Sequence, residues 1–177
     1  MTELFTITVF SENSTGLLSR VVGIITRRHI NIESLTVSKS SIEGIHRFTI
    51  CLDLEESEVQ KLVGQIDKQV EVLKAFYYRN EEIVFQEIAL YKVPVEALHE
   101  GDRVERLIRK HNARILAIEP KYVVIEKSGH EFETESLLLD LKEIGIYEFV
   151  RSGRVAIVKP MEKLNSYLKS LEKKYSV

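Results

Sequence analysis

One cysteine among 177 residues rules out a disulfide framework within a single chain. That residue, Cys51, lies in an apolar strand-like run. No histidine or acid is spaced locally to activate it, so it reads as an inert strand thiol rather than a nucleophile. An excess of charge of either sign is also lacking. Lys and Arg number 9 against 10 Asp and Glu through Asn80, and 16 against 17 after it. Without a basic field to hold a phosphate backbone, nucleic-acid binding is disfavoured. The five histidines, His29, His46, His99, His111 and His130, are scattered, and none has a Cys or His partner at metal-ligand spacing. No apolar run approaches transmembrane length, and the start MTELFTITVF lacks the charged lead and apolar core of a signal peptide. A cytoplasmic protein is the expectation. What is present is an ordinary globular composition, 44% hydrophobic and 29% charged, in a length that suits one large domain or two small ones.

The apolar periodicity reads as βαββαβ. Phe5, Ile7 and Val9 alternate with Thr6 and Thr8 over Leu4 to Phe10, the pattern of a strand with one buried face. Leu17, Leu18, Val21, Val22, Ile24 and Ile25 recur at helical spacing, leaving Arg20, Arg27 and Arg28 for solvent. Ile30 to Val37 is strand-like, with a phase slip between Ile32 and Leu35 that a bulge would produce. A turn at Glu43-Gly44 precedes a strand over Ile45 to Leu52. Ser57 and Gln60 have capping-box spacing ahead of the helical stripe Val59, Leu62, Val63 and Ile66, and Val70 to Tyr78 closes the unit. Gly23, unfavourable in a helix interior, suggests close packing against sheet or partner.

Asn80-Glu81-Glu82 interrupts the pattern, and the order then repeats less sharply. Ile83 to Val93 is a strand, and Val104, Leu107, Ile108 and His111 mark a helix. Ala113 to Ile118 and Tyr122 to Lys127 are strands. A helix bears Phe132, Leu138 and Leu141, and Ile146 to Val150 ends the unit. The expected fold is α+β: two ferredoxin-like sandwiches, over residues 1–80 and 81–160, followed by a helix over 161–177. Met161, Leu164, Leu168, Leu171 and Tyr175 give that helix an apolar stripe, which reads as docked on its own domain or clasping a partner. Such a sandwich leaves one sheet face bare and its edges open, so pairing with a second copy is expected.

The stretch from Glu12 to Val37 carries the chemistry. Asn13 ends a strand and Gly16 sits at the mouth of a helix, whose first turn presents unpaired N–H groups and a partial positive charge. A free amino acid's carboxylate can bind there, as phosphate does at other helix N-termini. Asn13 offers an acceptor for an ammonium group, and Leu17 and Leu18 add apolar surface nearby. Asn31 is a second amide at the start of the next strand. The plainer reading of the same residues is a capped helix after a glycine turn, with Asn31 a hydrogen-bonded strand-edge residue.

Asn13, Gly16, the run Leu18-Ser19-Arg20-Val21 and the run Asn31-Ile32-Glu33-Ser34-Leu35-Thr36-Val37 closely resemble the opening of the small, regulatory subunit of acetolactate synthase. The first half of that family is an amino-acid-sensing ACT domain. The resemblance continues more weakly through Phe48 and the second helix and returns at Arg151-Ser152-Gly153. It implies a non-catalytic subunit that dimerises through its ACT domains. It also implies feedback inhibition by a branched-chain amino acid, usually valine, lying between them. Asn13, Gly16, Leu17 and Leu18 would hold the effector from one chain, and Asn31 and Ile32 from the other. The partner would be the large catalytic subunit, which would carry thiamine diphosphate, magnesium and FAD; no motif for these is visible in this chain. Two departures stand out: the family often has glycine at His29 and a smaller residue at Leu17.

Three rivals are weaker. An acylphosphatase-like hydrolase needs an arginine in a phosphate cradle, whereas Arg20 lies on a helix face. An RRM-type RNA binder needs exposed aromatics in a basic setting, whereas the third strand offers only Phe48 in a slightly acidic domain. A stand-alone amino-acid-responsive ACT protein differs from the preferred reading only in having no catalytic partner.

Overall fold

Apolar and hydroxyl side chains alternate from Phe5 to Val9 at the centre of the ten-residue strand β1 (Glu3–Glu12), around which the first unit is built. A computed structural model describes residues 2–98 and 102–159; the helix expected over 161–177 lies outside them. Two compact units emerge: the chain up to Phe85 together with the segment that begins at Arg154, and Gln86–Gly153. No helix among the described residues is long and apolar enough to cross a membrane.

In the first unit β1 is followed by α1 (Leu17–Thr26), β2 (Ser34–Lys39), β3 (Ile45–Leu54), α2 (Glu56–Ile66) and β4 (Val72–Tyr78). The sheet is antiparallel in the order β2-β3-β1-β4, which puts β2 and β4 at its two edges. Phe5, Ile7 and Val9 pack with Phe48, Ile50 and Leu52 from β3 beneath the apolar stripes of both helices. The β2 register against β3 is regular. The phase slip between Ile32 and Leu35 is therefore no bulge: residues 30–33 are irregular, and the strand begins only at Ser34. Likewise β4 starts at Val72 rather than Val70, which is 96% exposed. The capping box of α2 is not Ser57 and Gln60. Glu55 is the N-cap, and the Glu58 carboxylate accepts its N–H at 3.4 Å.

The expectation of a single buried face on β1 is wrong. Thr6 and Thr8 are as buried as their apolar neighbours. Their cover comes from the end of the described chain. A 3-10 turn over Asn80–Glu82 leads into β5 (Ile83–Pro94), which pairs with β9 (Val155–Val158). Tyr78, Ile83 and Ala156 form a separate small core with Phe76, Phe85 and Val158. An Arg47 terminal nitrogen donates to the Ala156 carbonyl at 2.5 Å. Arg154 is buried, with Nη1 2.9 Å from the Asn80 side-chain oxygen and its guanidinium 4.0 Å from the centre of the Phe85 ring. Burial lowers the Arg47 pKa, and the nearby Tyr78 hydroxyl offsets this only in part.

The second unit takes up β5 from Gln86 and continues through α3 (Arg103–Lys110), β6 (Arg114–Ile118), β7 (Tyr122–Gly129), α4 (Glu131–Lys142) and β8 (Glu148–Arg151). Its strands run in the order β6-β7-β5-β8, the same βαββαβ path. Tyr91 is fully buried and donates to the Thr134 carbonyl at 2.7 Å. Phe132, expected on the apolar stripe of α4, is instead 72% exposed and stacks on His130. The Arg-Ser-Gly run has a structural use: Arg151 reaches Glu131 at 2.6 Å and Glu87 at 3.4 Å, and Ser152 Oγ accepts the Ile88 N–H at 2.9 Å.

Candidate effector site

The helix mouth is held open by its backbone. Asn13 N–H donates to the Gly44 carbonyl at 3.1 Å, tying the loop after β1 to the β2–β3 turn. Gly16 then adopts φ +85°, which a side chain would resist, and the first helical bond runs from Arg20 N–H to the Gly16 carbonyl. A Cβ at Gly16 would meet nothing within 4 Å, so conformation rather than crowding selects glycine here.

The helix carries no side-chain cap. Neither Asn13 nor Ser14 plays the capping role that their position suggests. Among the described residues, no acceptor meets the N–H groups of Thr15, Gly16, Leu18 and Ser19. No acid lies in the first turn of α1, so nothing on the helix itself offsets its partial positive end. The result is an exposed cluster of donors suited to a small anion.

The flanking side chains differ in what they can offer. Leu18 is 42% exposed and stands at the mouth. Leu17 is 1% exposed and belongs to the core, where its burial contributes about 2–3 kcal/mol and anchors the turn from beneath. Arg20 pairs with Glu71, whose pKa is lowered chiefly by that hydrogen bond, while Glu71 O accepts from Glu12 N–H at 3.0 Å. These bonds fix the helix start against the segment leading into β4.

Asn31 and Ile32 lie at the other end of α1. Asn31 is exposed, and its Nδ2 donates to Glu33 Oε1 at 3.0 Å; Ile32 is half-buried against the core. Ten helical residues separate them from the mouth, a rise of roughly 15 Å. Within one chain the two groups cannot touch the same small amino acid. The turn between them contains His29 at φ +57°, the left-handed conformation that glycine takes most easily. Gly23 needs no close packing from the described chain, since a Cβ there would meet only the tip of Arg27, at 3.6 Å.

A βαββαβ sandwich with an open helix mouth beside an edge strand is the architecture of ACT-type regulatory domains. Two family models match the chain: one for the AHAS small subunit-like ACT domain over residues 7–74, and one for the small subunit of acetolactate synthase over 86–160. The acetolactate synthase small subunit of Bacillus subtilis is 33% identical, over 97% of this chain and 98% of its own. That of Mycolicibacterium smegmatis is 30% identical over 88% and 91% respectively. The crystal structure of the Thermotoga maritima small subunit shares the fold with a TM-score of 0.80, at 24% identity over 89% of this chain and 98% of that one. The chain belongs to the acetolactate synthase small-subunit family.

Proposed function

We propose that this protein is the non-catalytic regulatory subunit of a cytoplasmic acetolactate synthase. It activates the large catalytic subunit and confers feedback inhibition by a branched-chain amino acid, with valine the first candidate. Kinship over nearly the whole chain supports the subunit role. The uncapped N-terminus of α1 is the observation that carries the sensing role. The effector carboxylate accepts from the free N–H groups of the first turn, and the Asn13 side-chain oxygen accepts from its ammonium. Its aliphatic side chain rests against Leu18, over a turn rooted by Leu17. Asn31 and Ile32 come from a second copy, because the length of α1 keeps them from the mouth of their own chain. The β2 edges of two copies bring the pieces together in a homodimer.

Chemistry stays with the partner, where thiamine diphosphate, magnesium and FAD are bound. Regulation requires that valine bind one arrangement of the dimer better than another, since a ligand with equal affinity for both shifts nothing. The test uses the reconstituted complex. Gly16→Asp places a carboxylate where the effector's own would sit, so activation of the catalytic subunit is retained and valine inhibition is lost. Unchanged valine sensitivity would refute the site. Failure to co-purify with a thiamine-diphosphate-dependent subunit would refute the complex and leave a stand-alone regulator.

A further inference from the structure

The outer face of the helical layer in the first unit concentrates positive charge in a chain that is otherwise balanced. Arg27 and Arg28 follow the end of α1, Lys61 lies on α2 and Lys68 just past its end, and all four are exposed. Arg28 links the two helices: its Nε and Nη2 donate to Gln65 Oε1 of α2 at 3.1 and 2.9 Å. Lys61 stands one turn before Gln65, and Lys68 follows closely after it. Gln65 is neutral and leaves the Arg28 charge uncancelled. The ion pairs of this unit join Arg20 to Glu71, Lys74 to Asp67, and Arg79 to Glu3 and Glu56; among the described residues none reaches the four cations.

The same face holds two glycines that the fold itself does not need. Gly23 of α1 and Gly64 of α2 keep ordinary helical backbone, unlike Gly16, Gly44 and Gly145 with their positive φ. A Cβ at Gly64 would meet nothing within 4 Å, and one at Gly23 only Nη1 of Arg27, at 3.6 Å. Each glycine weakens its helix relative to alanine, and neither crowding nor conformation within the described residues accounts for it. What a glycine on a helix surface does supply is room for another backbone to come close. Ser19, Thr26 and Ser57, all exposed, keep the rest of the face small.

We propose that this α1–α2 face docks an acidic surface of the large catalytic subunit, an inference that rests on the regulatory-subunit reading above. Carboxylates of the partner meet Arg27, Arg28, Lys61 and Lys68, and its backbone packs over Gly23 and Gly64. Charge selects this occupant over a second copy, because a two-fold contact of the face with itself would set the cations against their own kind. Copies that pair along their β2 edges leave the helices uncovered, so a dimer presents the face twice.

The test is binding of the full-length protein to the purified large catalytic subunit of its own organism, followed by biolayer interferometry over a range of salt. Lys61→Glu combined with Lys68→Glu should slow association about tenfold at low salt and flatten the steep salt dependence of the wild type. Gly64→Gln should raise the thermal midpoint of the free protein, since glutamine favours a helix more than glycine does. It should nevertheless weaken the complex about tenfold, because a side chain then stands where the partner's backbone packs. A purely structural role for Gly64 would not move stability and binding in opposite directions. Binding of either variant as tight as that of the wild type overturns the proposal. So does a free protein that loses its dimer in the charge-reversal variant, since the face would then hold a second copy. A wild type that forms no complex at any salt overturns the subunit reading and this inference with it.

Discussion

Gly16 has a backbone role and a proposed role at the effector site, and two substitutions separate them. At φ +85° a Cβ costs about 1–2 kcal/mol, and the lower entropy of an unfolded chain without this glycine returns about 0.4–1 kcal/mol. Gly16→Ala should therefore destabilise the first unit by about 0.5–1.5 kcal/mol. No clash adds to this, because nothing lies within 4 Å of the new atom. Asp enters the left-handed region more readily than Ala, and its carboxylate at the N-cap can accept from the free Leu18 and Ser19 N–H groups. Gly16→Asp should thus fold about as stably as wild type. Its effect on valine is larger. Two carboxylates about 5 Å apart repel by roughly 0.8 kcal/mol in water and roughly 3.3 kcal/mol at an effective dielectric of about 20, which weakens binding roughly 4- to 250-fold. Direct competition for the same N–H groups adds to that loss. Urea unfolding and isothermal titration with valine read the two effects separately: Ala loses stability and keeps affinity, and Asp does the reverse. Equal valine affinity in wild type and Gly16→Asp would refute the reasoning at the site, and an Ala variant as stable as wild type would refute it at the backbone.

His29→Gly should stabilise the first unit by about 0.5–1 kcal/mol, since it removes the left-handed cost at φ +57° and gives back only part as chain entropy; thermal unfolding checks the sign. Tyr91→Phe should cost about 1 kcal/mol, measured by urea unfolding, because it deletes a buried 2.7 Å hydrogen bond to the Thr134 carbonyl while keeping the ring. Asp140 accepts from Lys110 at 2.8 Å and from His111 at 2.7 Å, and these bonds, Lys110 first, hold its pKa below the ordinary value. Its contribution is complete above the unfolded carboxylate pKa of about 4 and fades as pH falls through the lower folded value. The difference in urea midpoint between wild type and Asp140→Asn should accordingly shrink between about pH 5 and pH 3.

Much of the fold was legible because burial on one side of a strand or helix leaves a period in the sequence. Phe5, Ile7 and Val9 announced β1, the stripe from Val59 to Ile66 announced α2, and the βαββαβ order appeared twice. The second face of β1 was not legible. Thr6 and Thr8 alternate like solvent-facing residues, yet they are covered by a segment nearly 150 positions away, with Arg154 Nη1 3.5 Å from Thr6 Oγ1. No local pattern encodes such a partner, although Val155–Val158, with three β-branched residues in four, carries a strand signal of its own. At the candidate effector site the residue types were readable in the sequence and their geometry was not. Asn13 and Ser14 read as caps, and only the backbone path shows the mouth uncapped. Leu17 and Leu18 look equivalent in sequence, but one belongs to the core and the other to the surface.

The most direct test of the two-chain effector site is complementation between copies with different lesions. One copy carries Asn13→Ala with Gly16→Asp, and the other carries Asn31→Ala with Ile32→Ala. Each variant is made alone, and the two are also co-expressed with different tags and purified through both. The account predicts no valine binding by either homodimer and, in the mixed dimer, one site of near wild-type affinity, formed by the intact mouth of one copy and the intact Asn31-Ile32 of the other. Normal binding by either homodimer, or a mixed dimer that binds no valine, would contradict it.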